Sequence, residues 1–530
     1  MDDAGEEGGQ MTYAQVARYF NSLEGPSAQE QIDCIVPLLL SLLPAPFVAA
    51  PEVESDSDDD DDRISLTSSD SEAADAGKVH GTLAEAAPGD GEDRISSLPD
   101  MLLTDIIHRL PTKDAGRTAA LSTHWRRVWA ATPLLVDDAH LGDGGPKDIP
   151  IVRAVSQSVA AHPGPIGGVR ITRVSFDAHE YALRRLVATL ADKDVKDLIL
   201  FNRPWPLDMP LPDDIFRCAS LDRLYLGVWH FPKATAACPP AFPDLRELGL
   251  FHCIVPDKEF DAMLAHCPKL EVLSIVLSYY EPSRLRLASR SLQVVVDWMS
   301  RCEEVVVQDA PCLKRLLFDF QTIGNRRCIR IVRAPKLEVL GFLDLNMHDL
   351  EIGGTVIRAG VNVSAGAMVP SLKILAVTVQ FACDREAKML PTLLKCFPHL
   401  ETLHILSVPS ESPDNVHDTR FWETRGACEC LEFWGTRGAC ECLESHLKTV
   451  VLNGSGSQMH EIGFLRYILR EGKALKTVGL VFKDEKARNF RVSGGPNSQA
   501  FFRMVTPRWS FQTAIDLSLD DPFYLVPAEA

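Results

Sequence analysis

The sequence predicts an α/β chain: a module of three short helices, then a curved solenoid of parallel strands with returning helices on its convex side, both preceded by an acidic region without fixed structure. Three observations carry that expectation. A short apolar frame returns at intervals from residue 195 to residue 480. A stretch near residue 100 places apolar residues at helical spacing. Almost all of the net charge lies at one end.

The frame is apolar-x-x-apolar-x-apolar. It reads VKDLIL from Val195, LDRLYL from Leu221, LRELGL from Leu245, LEVLSI from Leu270, LKRLLF from Leu313 and LEVLGF from Leu337. It continues as LKILAV from Leu372, LETLHI from Leu400, LKTVVL from Leu447 and LKTVGL from Leu475, with a weaker copy, LQVVVD, from Leu292. Successive starts through Leu337 differ by 26, 24, 25, 22, 21 and 24 residues, the spacing of leucine-rich repeats. The fourth and sixth positions alternate inward on a short strand, and the first leucine packs at the bend leading into it. Segments such as PDKEFDAMLAHCPK before Leu270 and REAKMLPTLLKCFPH before Leu400 have helical spacing and end before a proline, so they are expected to return on the convex side.

The helical module is expected over Asp93–Leu135. Leu98, Leu102, Leu103, Ile106, Ile107 and Leu110 form one apolar stripe; Pro99 suits the start of the helix, Asp100 its positive end, and Pro111 stops it. A second segment starts at Thr112 or Asp114, and Ser122 can cap a third containing Trp125, Val128 and Trp129. Three helices of this size form little core alone and need a partner surface or the rest of the chain.

Residues 1–97 hold 22 acidic against 4 basic residues, which is −18 of the chain's −19. The remainder is nearly neutral, which argues against nucleic acid as a partner, since phosphate binding needs a basic surface. WRRVW (Trp125–Trp129) is therefore read as helix surface and core, not as a stacking platform for single strands. Within the acidic region, ESDSDDDDDRISLTSSDSE (Glu54–Glu72) cannot bury enough apolar surface to offset its ordering entropy, so residues 1–92 are expected to be largely disordered apart from a short apolar segment at 32–48. That segment's run, Ile35–Ala50, is interrupted by Pro37, Pro44 and Pro46, so no membrane span is expected there. No leader signature opens the chain, and the expected location is cytoplasm and/or nucleus. In that compartment the 14 cysteines are expected to be reduced, mostly small buried residues, Cys267, Cys312 and Cys396 among them.

With the residues in view, LPDMLLTDIIHRLP followed by KDAGRTAALSTHWRRVWAATPLL resembles the plant F-box, matched at Leu98, Pro99, Leu110, Pro111, Arg117, Leu121, Ser122, Trp125, Arg126 and Trp129. The resemblance implies docking on a Skp-type adaptor and a cullin ligase core. The implied adaptor-binding residues are Leu98, Pro99, Leu102, Leu103, Ile106, Leu110, Leu121, Trp125, Val128 and Trp129. Residues 441–482 resemble the FBD region that follows leucine-rich repeats in plant F-box proteins, matched from Cys442, Leu443 and Leu447 to Phe464, Ile468 and Lys476. The implied organisation is an acidic region at 1–92, an F-box at 93–140, repeats at 150–410, an FBD-like region at 411–482 and a tail at 483–530.

Within that FBD-like region FWETRGACECLEFWGTRGACECLE, residues 421–444, is one 12-residue phrase written twice, differing only at Glu423 and Gly435. Twelve residues turn a helix by about 1,200°, leaving the copies about 120° apart, so a longer loop is expected instead of one continued face. Zinc is not expected at Cys428, Cys430, Cys440 and Cys442, because Cys-x-Cys holds two thiolates less conveniently than Cys-x₂₋₄-Cys.

The sequence holds no phosphate-binding glycine loop, no His-Glu-x-x-His and no nucleophile elbow, and no catalytic residue, metal ligand or cofactor is assigned. Candidate target-binding residues are outward positions of the strands: Arg223, Tyr225, Glu247, Ser274, Arg315, Thr378 and His404. The implied function is substrate recognition for an SCF-type ubiquitin ligase, with an unidentified target protein held by the array and no chemistry of its own. The competing reading is a repeat scaffold outside any ligase.

Overall fold

A computed structural model describes residues 94–141, 148–202, 209–233, 242–278, 281–298, 300–318, 326–408, 432–455, 459–482, 501–505 and 520–523. The expectations for residues 1–92, for the first copy of the repeated phrase up to residue 431, and for most of the tail lie outside them. The chain divides into two compact units, residues 1–146 with 160–165, and residues 147–159 with 166–530.

The first unit is the helical module: α1 (Asp100–His108), α2 (Thr112–Thr118), α3 (Thr123–Ala131) and the strand β1 (Leu134–Asp137). Each helix starts where the sequence supplies a start. The carbonyl of Pro99 accepts from Leu102 N and Leu103 N, that of Pro111 from Asp114 N and Ala115 N, and the Ser122 hydroxyl accepts from Trp125 N at 3.2 Å. Leu103, Ile107, Ala115, Trp125 and Val128 pack into one small core.

The second unit opens with α4 (Asp148–Ala161) and is then built on a parallel sheet. Its strands are β2 (Ile166–Ile171), β3 (Asp197–Phe201), β4 (Arg223–Gly227), β5 (Glu247–Phe251), β6 (Val272–Val276), β8 (Val294–Trp298), β10 (Arg315–Phe318), β12 (Val339–Asp344), β15 (Ile374–Val379), β16 (Thr402–Ser407), β17 (Thr449–Ser455), β18 (Thr477–Phe482) and β19 (Phe501–Val505), side by side in that order. From β3 to β18 every strand is one copy of the sequence frame. The frame's first, fourth and sixth positions line the core, as Leu221, Leu224 and Leu226 do on β4.

The turns are joined by a repeated backbone device. The carbonyl of the second frame residue accepts two N–H groups from the next turn: Lys196 O from Asp222 N (2.8 Å) and Arg223 N (3.2 Å), Asp222 O from Arg246 N and Glu247 N, and so on to Lys448 O with Lys476 N and Thr477 N. At the same position most side chains are charged, with opposite signs on many neighbouring turns: Arg246 pairs with both Asp222 (3.2 Å) and Glu271 (2.6 Å), Lys373 with Glu338 (2.9 Å) and Lys448 with Glu401 (2.6 Å). Strands β4, β5 and β6 are each followed by a non-glycine residue with positive φ, Val228, His252 and Leu277, whose N–H bonds the last carbonyl of the neighbouring strand.

Returning helices appear where the sequence indicated them: α6 (Asp257–Ala265) and α7 (Asp384–Lys395) follow α5 (Glu180–Asp192) on the chain, and α8 (Glu441–Ser445) and α9 (Met459–Glu471) close the array. Between residues 284 and 356 the returning segments are strands instead. There β7 (Arg284–Ala288), β9 (Glu304–Asp309), β11 (Arg327–Ile331), β13 (His348–Ile352) and β14 (Thr355–Val356) form a second sheet in the order β14-β13-β11-β9-β7. The reason is the period of the returning segment. The segments there carry a strand period: RLRLA and RCIRI alternate with period 2, and a strand advances about 3.3 Å per residue against about 1.5 Å for a helix.

Candidate functional site

Two surfaces can engage another protein, one in each unit. In the module, the nine residues of α1 carry more apolar side chains than its core can take. Leu103 and Ile107 turn inward, whereas Met101 (79% exposed) and Leu102 (44%) stay in solvent, as does Leu121 (67%) between α2 and α3, with Ile95 just before α1. Leu98, Ile106, Leu110 and Trp129 are half-buried at the edge of the core, and Pro99 is exposed. Trp129 meets the His162 ring edge-on at 4.5 Å.

This corrects part of the expected docking set. Leu103, Trp125 and Val128 belong to the module's own core, because a nine-residue amphipathic helix must spend its inner stripe on holding the unit together. Trp125 is further fixed by its indole N–H, which donates to Ser96 Oγ at 2.7 Å. Met101, the most exposed apolar residue of α1, sits off the counted stripe.

In the array, the outward residues at the fifth frame position stand in register across the sheet: Tyr225, Gly249, Ser274, Val296, Leu317, Gly341, then Ala376 opposite His404. At the N-terminal end this row is polar and self-paired. Arg223 binds Asp197 through Nε and Nη2 (2.9 and 2.5 Å), and the Tyr225 hydroxyl donates to Glu247 Oε2 at 2.9 Å. The phenol pKa is pushed up by burial first and by the Glu247 carboxylate second. The Tyr225 ring lies over Gly249, where a β-carbon would stand 2.2 Å from its Cδ1. Beside it, at the strand starts, a cleft of about 390 Å³ is lined by Lys196, Asp222, Arg246, Asp244 and Lys269, whose charges largely neutralise one another in pairs.

The candidates Arg223, Tyr225 and Glu247 therefore come together as one network. Ser274 and Arg315 lie further along the sheet, and Thr378 and His404 are buried. His404 is covered by a segment from the far end of the chain: its Nε2 is 2.8 Å from Asp521 Oδ2, while its buried Nδ1 has no hydrogen-bond partner, which places the proton on Nε2. The sequence signal for this cover was present at Val296, Leu317 and Ala376, apolar residues at outward positions.

The second copy of the repeated phrase is packed, not looped. Trp434 is buried against the aromatic rings of Phe464 and Tyr467, each 5.6 Å away, and donates to His460 Nδ1 at 3.2 Å. Cys440 and Cys442 are buried with their Sγ atoms 3.3 Å apart. The Cys442 thiol is pushed up by its hydrogen bond to Cys440 and by burial, and the Cys440 thiol is lowered by the same bond. Cys428 and Cys430 lie outside the described residues. Cys267 and Cys396 are buried and held up to about 12 by desolvation, and Cys312 is partly exposed. Among the described residues no group of three or more His, Cys, Asp or Glu could hold a metal ion, and no helix is long and apolar enough to cross a membrane.

Comparison with known proteins assigns both surfaces to recognised parts. The profile of the F-box domain matches residues 95–136, that described as FBD-associated F-box protein At5g56370, LRR repeats, matches 183–405, and that of the FBD matches 436–480. Among Arabidopsis thaliana proteins, F-box/LRR-repeat protein At5g02910 is 26% identical over 62% of this chain and 75% of its own length. F-box/FBD/LRR-repeat protein At1g13570 is 27% identical over 74% and 91%, and F-box/FBD/LRR-repeat protein At5g22660 is 27% identical over 59% and 76%. With its F-box in the helical module, its repeats in the parallel sheet and its FBD in the last turns, the chain has the three recognised parts of the F-box/FBD/leucine-rich-repeat proteins.

Proposed function

We propose that this protein is a substrate-recognition subunit of a cullin-based ubiquitin ligase: the helical module docks on a Skp-type adaptor and the array holds a target protein. The observation that carries the reading is that α1 keeps Met101 and Leu102 in solvent although the module already has a closed core. Apolar anchors on short helices, inserted into a partner's groove, are a recurrent way for such a unit to bind. The protein's contribution to rate would be proximity of target and ubiquitin carrier, with no chemistry by its own side chains. Such a subunit acts in the cytoplasm or nucleus.

Co-purification of the full chain with a Skp-type adaptor tests this. Leu102→Asp places a charge where an apolar anchor is needed and is expected to reduce capture at least tenfold while the far-ultraviolet circular dichroism is unchanged. Undiminished capture by the variant, or none by the parent chain, would favour a scaffold that works outside any ligase.

A further inference from the structure

The inner face of a solenoid sheet is used by its core, so the outward face is where ligands meet the repeats. In the middle of this sheet the outward residues Val296, Leu317 and Ala376 are sealed, in one cluster with Phe523. Phe523 lies edge-on to Phe342 at 5.1 Å and 5.9 Å from the His404 ring. The outward face is low beside the ring: Ala376 in the cluster is small, and at Gly341 the chain carries no side chain and passes so close to Ala376 that a β-carbon would come within 2.3 Å of Ala376 O.

Beside the ring, the Asp521 carboxylate engages His404 with Oδ2 at 2.8 Å, and its Oδ1 accepts from Phe523 N at 3.1 Å. That second bond closes a turn around Pro522, so ring and carboxylate face the sheet together. The contact joins residues 117 positions apart and uses one side-chain hydrogen bond and one ring. It has the form of a bound peptide.

We propose that this row is a peptide-binding site for a segment presenting a carboxylate and, two residues later, an aromatic ring, and that Asp521–Phe523 fills it in cis until a target segment of the same chemistry displaces it. The proposal rests on the reading of the array as the target-binding part, and names the class of target. The imidazole N–H selects the carboxylate, and the apolar depression selects the ring. A tethered occupant competes at an effective concentration on the order of millimolar, so free peptide is held off until it is abundant or tighter.

The test uses the full chain and a fluorescein-labelled peptide LSLDDPFYL, the sequence of residues 517–525, read by anisotropy. Phe523→Ala weakens the internal occupant and is expected to tighten peptide binding at least tenfold, and the peptide carrying alanine in place of its phenylalanine is expected to lose binding. Should Phe523→Ala fail to fold, Asp521→Ala keeps the ring, removes the acceptor of the His404 N–H and is expected to shift binding in the same direction. Equal affinity for the parent and the folded variants overturns the proposal. A parent chain that is a dimer and becomes a monomer on Phe523→Ala also overturns it, since the tail would then bind in trans. Adaptor capture from the same preparations separates the two readings: intact capture with no peptide effect removes the peptide site alone, and a peptide effect without capture removes the ligase role alone.

Discussion

The Trp434 indole occupies the space where Gly463 has no side chain: a β-carbon at 463 would stand 2.2 Å from Trp434 Cδ1. The second copy of the repeated phrase is thereby locked to α9. The indole N–H donates to His460 Nδ1, which leaves Nε2–H to face Asp384 Oδ1 at 2.6 Å. Gly463→Ala is expected to cost about 1–3 kcal/mol by forcing the ring out, and Trp434→Ala about 3–5 kcal/mol by leaving a cavity. Hydrogen exchange over α9 reads both losses; a glycine variant as protected as the parent would contradict the packing.

Asp297 and Arg327 form a buried ion pair at 2.8 Å, and Arg327 also donates to the carbonyls of Cys302 and Ser300. Asp297→Ala leaves a buried cation uncompensated and is expected to cost about 3–5 kcal/mol in urea unfolding, whereas Asp297→Ala with Arg327→Met recovers more than half of that. Equal losses in the single and double variants would show that the pair itself is not the source.

Two buried histidines are expected to make the array acid-sensitive. Burial pushes His252 and His348 down to about 3, with the Arg327 charge adding to the effect at His348. Because the folded values lie below the unfolded one near 6.5, the unfolded chain takes up protons first, so stability is full above about pH 6.5 and falls as pH drops towards 3. The expected loss is up to about 1.4 kcal/mol per pH unit for each histidine within that window. His252→Asn tolerates the local positive φ and removes one titrating ring, so a melting temperature that falls between pH 7 and pH 5 should fall less in the variant. An identical fall in both would assign the acid sensitivity elsewhere.

Neighbouring leucines of α1 are expected to behave differently. Leu103→Asp puts a charge into the core with Trp125 and Val128 and should make residues 94–141 susceptible to limited proteolysis, while Leu102→Asp leaves the cleavage pattern unchanged. Equal susceptibility would mean that Leu102 is not free of the core.

Much of this organisation was readable from spacing alone. The strands of the long sheet from β3 to β18 start two residues into the frames, Pro99 and Ser122 mark the helix starts they were expected to mark, and α2 begins at Thr112 after Pro111 ends α1. Less legible was the region from 284 to 356, where the same frame is served by a second sheet, since strand and helix returns differ in the period of the segment between frames and not in the frame itself.

By itself, the sequence determined the repeating turn and the helical module, because both arise from apolar periodicity among residues close along the chain. Tertiary structure alone decided which side of α1 each leucine serves, that Trp434 enters at Gly463, and that Phe523 and Asp521 cover Leu317 and His404. Those contacts join side chains from distant turns, where the shape of the pocket, and no local period, selects the partner.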